Sequence, residues 1–485
     1  MSGSEPPPLR PPRSSRVAGS SLRSRTAHAV RPTGPPTVGI PVWTGPDGVE
    51  RDTARAVIDL AMRAAVALLA TGASAADVVG TVLQLTSSYG LRSVHVDVTF
   101  SSVTVSYHRG PGAEPITVMR VVRTRIQDFT RLERLRELVR ELVRTPIDVE
   151  DARVRFDSVI SAPHPFRRWV VTLAVGVLAA GVSTLVGAGP LIVVLSLLTS
   201  AAVDLVQHRL GRVGIAAFFT QAVGSAIPTV VAVLISLVQR ETGYLQGILP
   251  SLVVASGIVV LLAGLSVVGS AQDAIEGFYV TAGARAFEVL VLTLGIVVGI
   301  TVVLALAHRL GVFMTITSES RSDASGWAQV LASAVIAAAF AISSYAGVRS
   351  AAIAALAGGA GWASYLLMSA LDAGRPTASA IAALIVGFTT QLVARRLRFA
   401  ALAVTTASIV PLLPGRAVYQ GIFETVSDSG GPGLYQGLGT LLGAAGVGMG
   451  LAAGVSLGTY LARLILDSRS GRRRRSAPGA QGRTT

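Results

Sequence analysis

From about Trp169 to Leu464 the chain is a succession of apolar runs broken by arginines, and this limits its fold more than any motif does. Lipid offers no hydrogen-bond partner to a bare backbone, so apolar runs of about 20 residues in a bilayer must close their hydrogen bonds within helices. The runs fall near Trp169–Val186, Pro190–Val206, Ile215–Val238, Ile248–Val268, Ala286–Ala307, Trp327–Tyr345, Ala351–Ala370, Ala378–Ala394, Phe399–Val418 and Leu434–Leu464, about ten crossings by length. Composition agrees: with 51% hydrophobic and 14% charged residues among 485, too little polar surface remains for a soluble protein. The expected fold class is therefore a polytopic α-helical membrane protein.

The formal charge of +15 comes from arginine, because the chain has no lysine, and it has no asparagine either. Both absences fit a GC-rich bacterial genome. Without lysine there is no Walker A phosphate loop and no Schiff base, and without asparagine no N-glycosylation sequon. An ATP-driven pump is thereby disfavoured. Zero cysteines exclude disulfides, iron–sulfur ligation and thiolate catalysis. No metal-ligand spacing appears, so no cofactor is expected.

Residues 1–48 are rich in Pro, Ser and Arg (Arg10, Arg13, Arg16, Arg23, Arg25, Arg31) with no apolar run of signal-peptide length, and read as a disordered tail. No aromatic stacking pattern accompanies the charge, so no nucleic-acid partner is expected. Residues 49–161 read as a small α+β domain. Asp52 is placed to cap a helix ending near Gly72, and Ser74 opens a second through Val78, Val82 and Leu85. Val94, Val96, Val98 and Phe100 then alternate with polar residues, and Val103, Val105 and Tyr107 do so out of phase. The slip at Ser101 and Ser102 marks a bulge or tight turn. Ile116, Val118 and Val121 suit a further strand, and Asp128 to about Val143 an Arg-rich amphipathic helix. His95, Asp97 and His108 make an acid/base pair formally available, but polar residues on the exposed face of a half-buried sheet explain them more simply.

Cytoplasmic loops near span ends carry the excess of positive charge. Starting inside, that side holds Arg167, Arg168, Arg209, Arg212, Arg285, Arg349, Arg395, Arg396, Arg398 and the tail Arg472 to Arg475, leaving Arg240, Arg309, Arg321, Arg375 and Arg416 outside. Both termini and the α+β domain are thus expected in the cytoplasm.

The second half partly repeats the first. Ile258-Val259-Val260-Leu261-Leu262-Ala263-Gly264 aligns without gaps with Ile409-Val410-Pro411-Leu412-Leu413-Pro414-Gly415, and Phe219-Thr220-Gln221 resembles Phe388-Thr389-Thr390-Gln391 one span earlier in each half. A duplicated unit of about five spans inserts its second copy upside down, and such inverted repeats commonly place a substrate site near the midplane. The expected division is a first transmembrane repeat over 162–310, a second over 311–466 and a basic cytoplasmic tail over 467–485.

The module with Ser93 to Phe100 (S-V-H-V-D-V-T-F), the segment Gly269 to Gly277 (G-S-A-Q-D-A-I-E-G) continuing through Thr281 to Arg285 and Glu288, and Pro411-Leu412-Leu413-Pro414-Gly415 together resemble the bacterial threonine/serine exporter family. The resemblance covers roughly Val49 to Leu466. It implies export of threonine and serine across the bacterial plasma membrane, driven by the proton motive force, with a small amino acid, protons and the lipid bilayer as partners. Assembly into a homo-oligomer is compatible with it. The competing reading is a membrane-anchored enzyme or sensor acting through residues 49–161.

The resemblance brings no substrate-contact residue with it, so candidates come from the cost of polar groups in lipid, about 2.5–3.5 kcal/mol for a central Asp or Arg. Asp204, Gln221, Glu288 and Gln391 lie within spans, with Gln272 and Asp273 at a span end. Each has a plain alternative. Asp204 is close to His208 and Arg209, as in an interfacial ion pair. Glu288 follows Arg285 by one turn, a pair worth about 0.2–0.5 kcal/mol. Asp273 suits a solvated loop as well as a gate, and Gln221 and Gln391 suit interhelical hydrogen bonds. Pro411, Pro414 and Gly415 remove backbone donors and predict a broken helix, of the kind that lines transporter cavities, or a kink satisfied by its neighbours.

Overall fold

The computed structural model describes residues 49–109, 114–122, 125–242, 249–261, 264–312, 325–397, 399, 401–427 and 432–475. The expected disordered tail 1–48, the end of the basic tail, Arg321, Arg398 and the Leu262-Ala263 part of the repeat lie outside them.

The α+β domain is built from α1 (Arg51–Ala70), α2 (Ala75–Ser88), β1 (Val94–Thr99), β2 (Ser102–Tyr107), β3 (Ile116–Val121), α3 (Phe129–Arg144) and α4 (Val149–Ser161). Its antiparallel sheet runs in the order β1-β2-β3. Thr99 pairs with Ser102, so the phase slip is a two-residue hairpin turn at Phe100 and Ser101, which lets Val98 and Val103 face the same core. Glu50, not Asp52, precedes α1; Asp52 lies in the first turn, where the helix dipole favours an acid. Ser74 does cap α2, accepting from the Asp77 amide at 3.2 Å. Helix α4, which the sequence reading did not single out, starts on an Asp148 cap and buries Ala152 and Phe156 against α1 and α3. His95, Asp97 and His108 are exposed, as a half-buried sheet requires.

The apolar region forms α5 (Arg168–Leu185), α6 (Pro190–Val213), α7 (Ala217–Thr242), α8 (Ser251–Leu261), α9 (Gly264–Ile275), α10 (Tyr279–Arg309), α11 (Gly326–Ser343), α12 (Val348–Ala370), α13 (Arg375–Leu397), α14 (Ala401–Ile409), a 3-10 turn (Val410–Leu412), α15 (Gly415–Ser427) and α16 (Pro432–Arg475). Eight of these helices are long and apolar enough to cross a membrane, and there are up to 10 spans if α8 with α9, bent by 43°, and α14 with α15, bent by 47°, each count as one.

Helix direction supports that count. Gly295 and Gly299 of α10 press on the carbonyls of Phe218 and Ala222 in α7, and Gly450 and Gly454 of α16 press on those of Pro376 and Ala380 in α13. Numbering rises together in both contacts, so each pair is parallel; only a missing Cβ lets backbones approach this closely. Parallel partners need one net return between them, which the bent pair supplies in each case. The first bent span runs on to Ile275 rather than ending at Val268, which carries Gln272 and Asp273 into a helix.

The α+β domain grips one end of this bundle. Thr281 Oγ1, at the start of α10, donates to the Val98 carbonyl at 3.0 Å. The Phe129 amide donates to the Ser344 carbonyl at 3.0 Å, and the Thr130 hydroxyl to that of Tyr345. The His164 ring stacks on Tyr345 at 4.3 Å. Phe278, Ala346 and Phe399 join the domain's own hydrophobic core, so apolar packing is continuous from domain to spans.

Candidate transport site

Asp273 is the only fully buried carboxylate among the described residues of the spans, at 0% exposure. It belongs to α9 and faces Arg285 of α10, whose Nη1 lies 3.0 Å from Oδ2. The solvated-loop alternative is therefore excluded. The contact is an ion pair without hydrogen-bond geometry, and both carboxylate oxygens lack a hydrogen-bond partner. The Ala75 amide in the first turn of α2 also approaches the carboxylate. Gln272 is half-buried beside it.

Next to Asp273, in the α9–α10 turn, is Glu276, which was not among the sequence candidates. Its amide donates to the Gln272 carbonyl at 2.9 Å, while its Oε2 is buried without a partner. Burial pushes its carboxyl up to about 7, with Asp77 and Asp273 adding to the shift and Arg463 and Arg285 opposing it. Arg125 of the α+β domain completes the group. Burial and the nearby Arg285 bring it down to about 10; its guanidinium lies over the Phe100 ring at 4.4 Å, while Nη2 is buried without a hydrogen-bond partner. The sequence signal available was an acid three residues after Asp273 in the quoted motif; Arg125 had none, because the domain must dock before it matters.

The remaining candidates separate. Asp204 accepts from Arg168 Nη2 at 2.6 Å and Thr172 Oγ1 at 2.7 Å, so it is an ion pair between α5 and α6, with a different partner from the expected His208 and Arg209. Glu288 is exposed on α10, while Arg285 turns to Asp273; the charge of Glu288 acts on Arg125. Gln221 accepts from Gln207 Nε2 at 3.3 Å and donates to the Leu261 carbonyl at 3.3 Å, where α8 breaks. Gln391 is half-buried on α13. Pro411 lies in the 3-10 turn, and Pro414 precedes α15, whose first residue Gly415 touches Val259 of α8. The two breaks thus pack on each other.

Hydroxyl groups form a further set that sequence reasoning missed. Ser256 donates to Ser196 at 2.7 Å, Ser225 to the Ile296 carbonyl at 3.0 Å and Ser408 to the Ala354 carbonyl at 3.2 Å, while Thr390 meets Thr405. Ser200 and Ser333 are buried with no hydrogen-bond partner. A Ser or Thr in an apolar run usually bonds its own preceding turn, so nothing in the sequence marks those that reach another helix.

A family profile described as "Putative threonine/serine exporter" matches residues 59–307, and a second, "Threonine/Serine exporter, ThrE", matches residues 329–459. The chain belongs to the threonine/serine exporter family. It is 36% identical over 423 residues to a "Probable threonine/serine exporter" of Mycobacterium tuberculosis, covering 86% of this chain and 78% of that one. It is 34% identical over 451 residues to a "Threonine/serine exporter" of Corynebacterium glutamicum, covering 92% and 90%. No solved structure matches. The protein is thus a multi-pass amino-acid exporter of the bacterial membrane. It is a transporter and not an enzyme, and the anchored-enzyme reading of residues 49–161 falls away.

Proposed function

We propose that this exporter moves threonine, serine or a similar small amino acid out of the cytoplasm in exchange for protons, by alternating access of two inverted halves. The substrate class follows from the names of the relatives. The observation that carries the transport mode is the matched placement of the two broken spans. Each separates a parallel, glycine-packed helix pair, α7 with α10 and α13 with α16. The first pair runs away from the α+β domain and the second toward it, since Thr281 at the start of α10 bonds the domain and Arg463 near the end of α16 acts on Glu276. Opposed direction with matched packing is what an inverted repeat of about five spans produces.

The arginine-rich ends of α5, α6, α13 and α16 lie on the domain's side, so the domain and both termini are assigned to the cytoplasm. The halves meet along α5 with α11 and α9 with α16 as well as through Val259 and Gly415, and rocking about this interface exposes the substrate to each side in turn. Buried hydroxyls such as Ser200 and Ser333, which lack partners, suit a substrate that carries a hydroxyl.

Uptake of labelled threonine into inverted vesicles tests the reading. Accumulation that an imposed proton gradient raises, and a protonophore abolishes, supports antiport. Gradient-independent equilibration would mean a channel, and absence of threonine movement would remove the substrate assignment.

A further inference from the structure

The junction of α9, α10, α16 and the α+β domain buries more ionisable groups than helix packing needs. Asp273 is fully enclosed, and both its oxygens and Glu276 Oε2 have no hydrogen-bond partner. The Glu276–Gln272 backbone bond keeps helical spacing, so the two carboxyls lie one turn apart on the same side. Arg285 contributes one close cation at 3.0 Å, and Arg125, stacked on Phe100 with its Nη2 lacking a hydrogen-bond partner, adds a second positive charge that acts on Asp273. From α2, Asp77 faces Glu276, but Arg136 at 2.6 Å already engages it. Arg463 acts from α16, and Glu288 acts on Arg125 from α10.

We propose that Asp273 and Glu276 together hold the exchanged proton, with Arg285 as counter-charge and the α+β domain, through Ala75, Asp77 and Arg125, covering the site. This rests on the antiport reading above and assigns the residues that carry it. Two carboxylates one turn apart in this junction do not readily both ionise, so a single proton on either of them leaves one negative charge for Arg285 to balance. A proton needs lone pairs and a path, not a cavity, which suits a packed junction. The value of about 7 for Glu276, set by burial first and then by Asp77 and Asp273, makes its occupancy change in the neutral range.

In the cycle, a proton from outside adds to a carboxylate lone pair and leaves the two carboxyls with one negative charge, which Arg285 balances. The same O–H bond breaks toward the cytoplasm when the domain side opens, leaving the second negative charge to Arg285 and Arg125. One proton enters, an amino acid leaves, and no electron moves.

Full-length exporter in proteoliposomes loaded with a pH-sensitive dye, given a threonine gradient, decides the matter. Wild type should move protons against threonine. Glu276→Gln and Asp273→Asn should lose that proton movement and the response to an imposed pH gradient, with threonine counterflow, which needs no net proton transfer, reduced less. Glu276→Asp should keep coupling and shift its pH midpoint. A wild type that moves no protons overturns the antiport reading itself. A coupled wild type with both neutral variants still coupled overturns only this assignment. Where Glu276→Gln fails to fold, an unchanged pH midpoint in Glu276→Asp overturns it.

Discussion

A Cβ placed on Gly415 would lie 2.8 Å from Cγ2 of Val259, so the two broken spans meet through the very segments that repeat in the sequence. Val259 follows Ile258 in the first copy, and Gly415 closes the second. A contact between equivalent breaks is where two halves related by a pseudo-two-fold would touch.

Gly415→Ala should therefore be poorly tolerated, costing about 1–3 kcal/mol of stability as an overpacked contact does. Val259→Ala in the same molecule should restore much of the loss. Thermal unfolding of the two single variants and the double variant in detergent measures the coupling, and additive effects would mean that the contact is not shared.

Arg285→Ala removes the close cation of a carboxylate that is 0% exposed. Loss of one partner of a buried pair typically costs about 3–5 kcal/mol, so Arg285→Ala should be far less stable than the double variant Asp273→Asn, Arg285→Gln. Comparison of their detergent melting curves checks the ordering.

Glu276 gives stability a pH dependence of definite sign. Its carboxyl is raised from 4.5 to about 7 in the fold, so the neutral form is the one the folded state favours. That advantage is complete below the unfolded value, fades as pH rises from 4.5 to about 7 and is absent above. The melting temperature of wild type, referred to Glu276→Gln, should fall across that window and level off beyond it. A flat difference would contradict the buried environment.

The Arg168–Asp204 pair predicts a structural effect that can be separated from a transport effect. Its 2.6 Å bond ties α6 to α5, so Asp204→Asn should lower the amount of folded protein more than the threonine flux per folded molecule. Immunodetection beside vesicle flux separates the two quantities.

Sidedness is open to direct labelling, because the chain has no native cysteine. Arg349→Cys and Arg240→Cys, both exposed, should react with a membrane-impermeant maleimide from opposite faces, the first only from the cytoplasmic side. Reaction of both from one face would change the crossing parity.

What the sequence determined by itself was whatever depends on neighbours along the chain. Bilayer thickness converts apolar length into helices, and that local rule found the eight helices long and apolar enough to cross a membrane and the two bent pairs beside them. Alternation found β1 and β2, and Ser74 before Asp77 marked the start of α2. What only the tertiary structure decided was which charges meet. Asp273 read equally as loop or gate, and Arg285 read as a partner for Glu288 one turn away. Docking of α9 against α10 instead buried Asp273 and turned Arg285 to it, because an uncompensated carboxylate in an apolar junction costs far more than a solvated pair one turn apart returns. The Arg168–Asp204 pair, the Ser196–Ser256 bond and the arrival of Arg125 beside Asp273 join residues distant in sequence. No local period encodes such pairs, since they exist only once helix packing has brought the surfaces together.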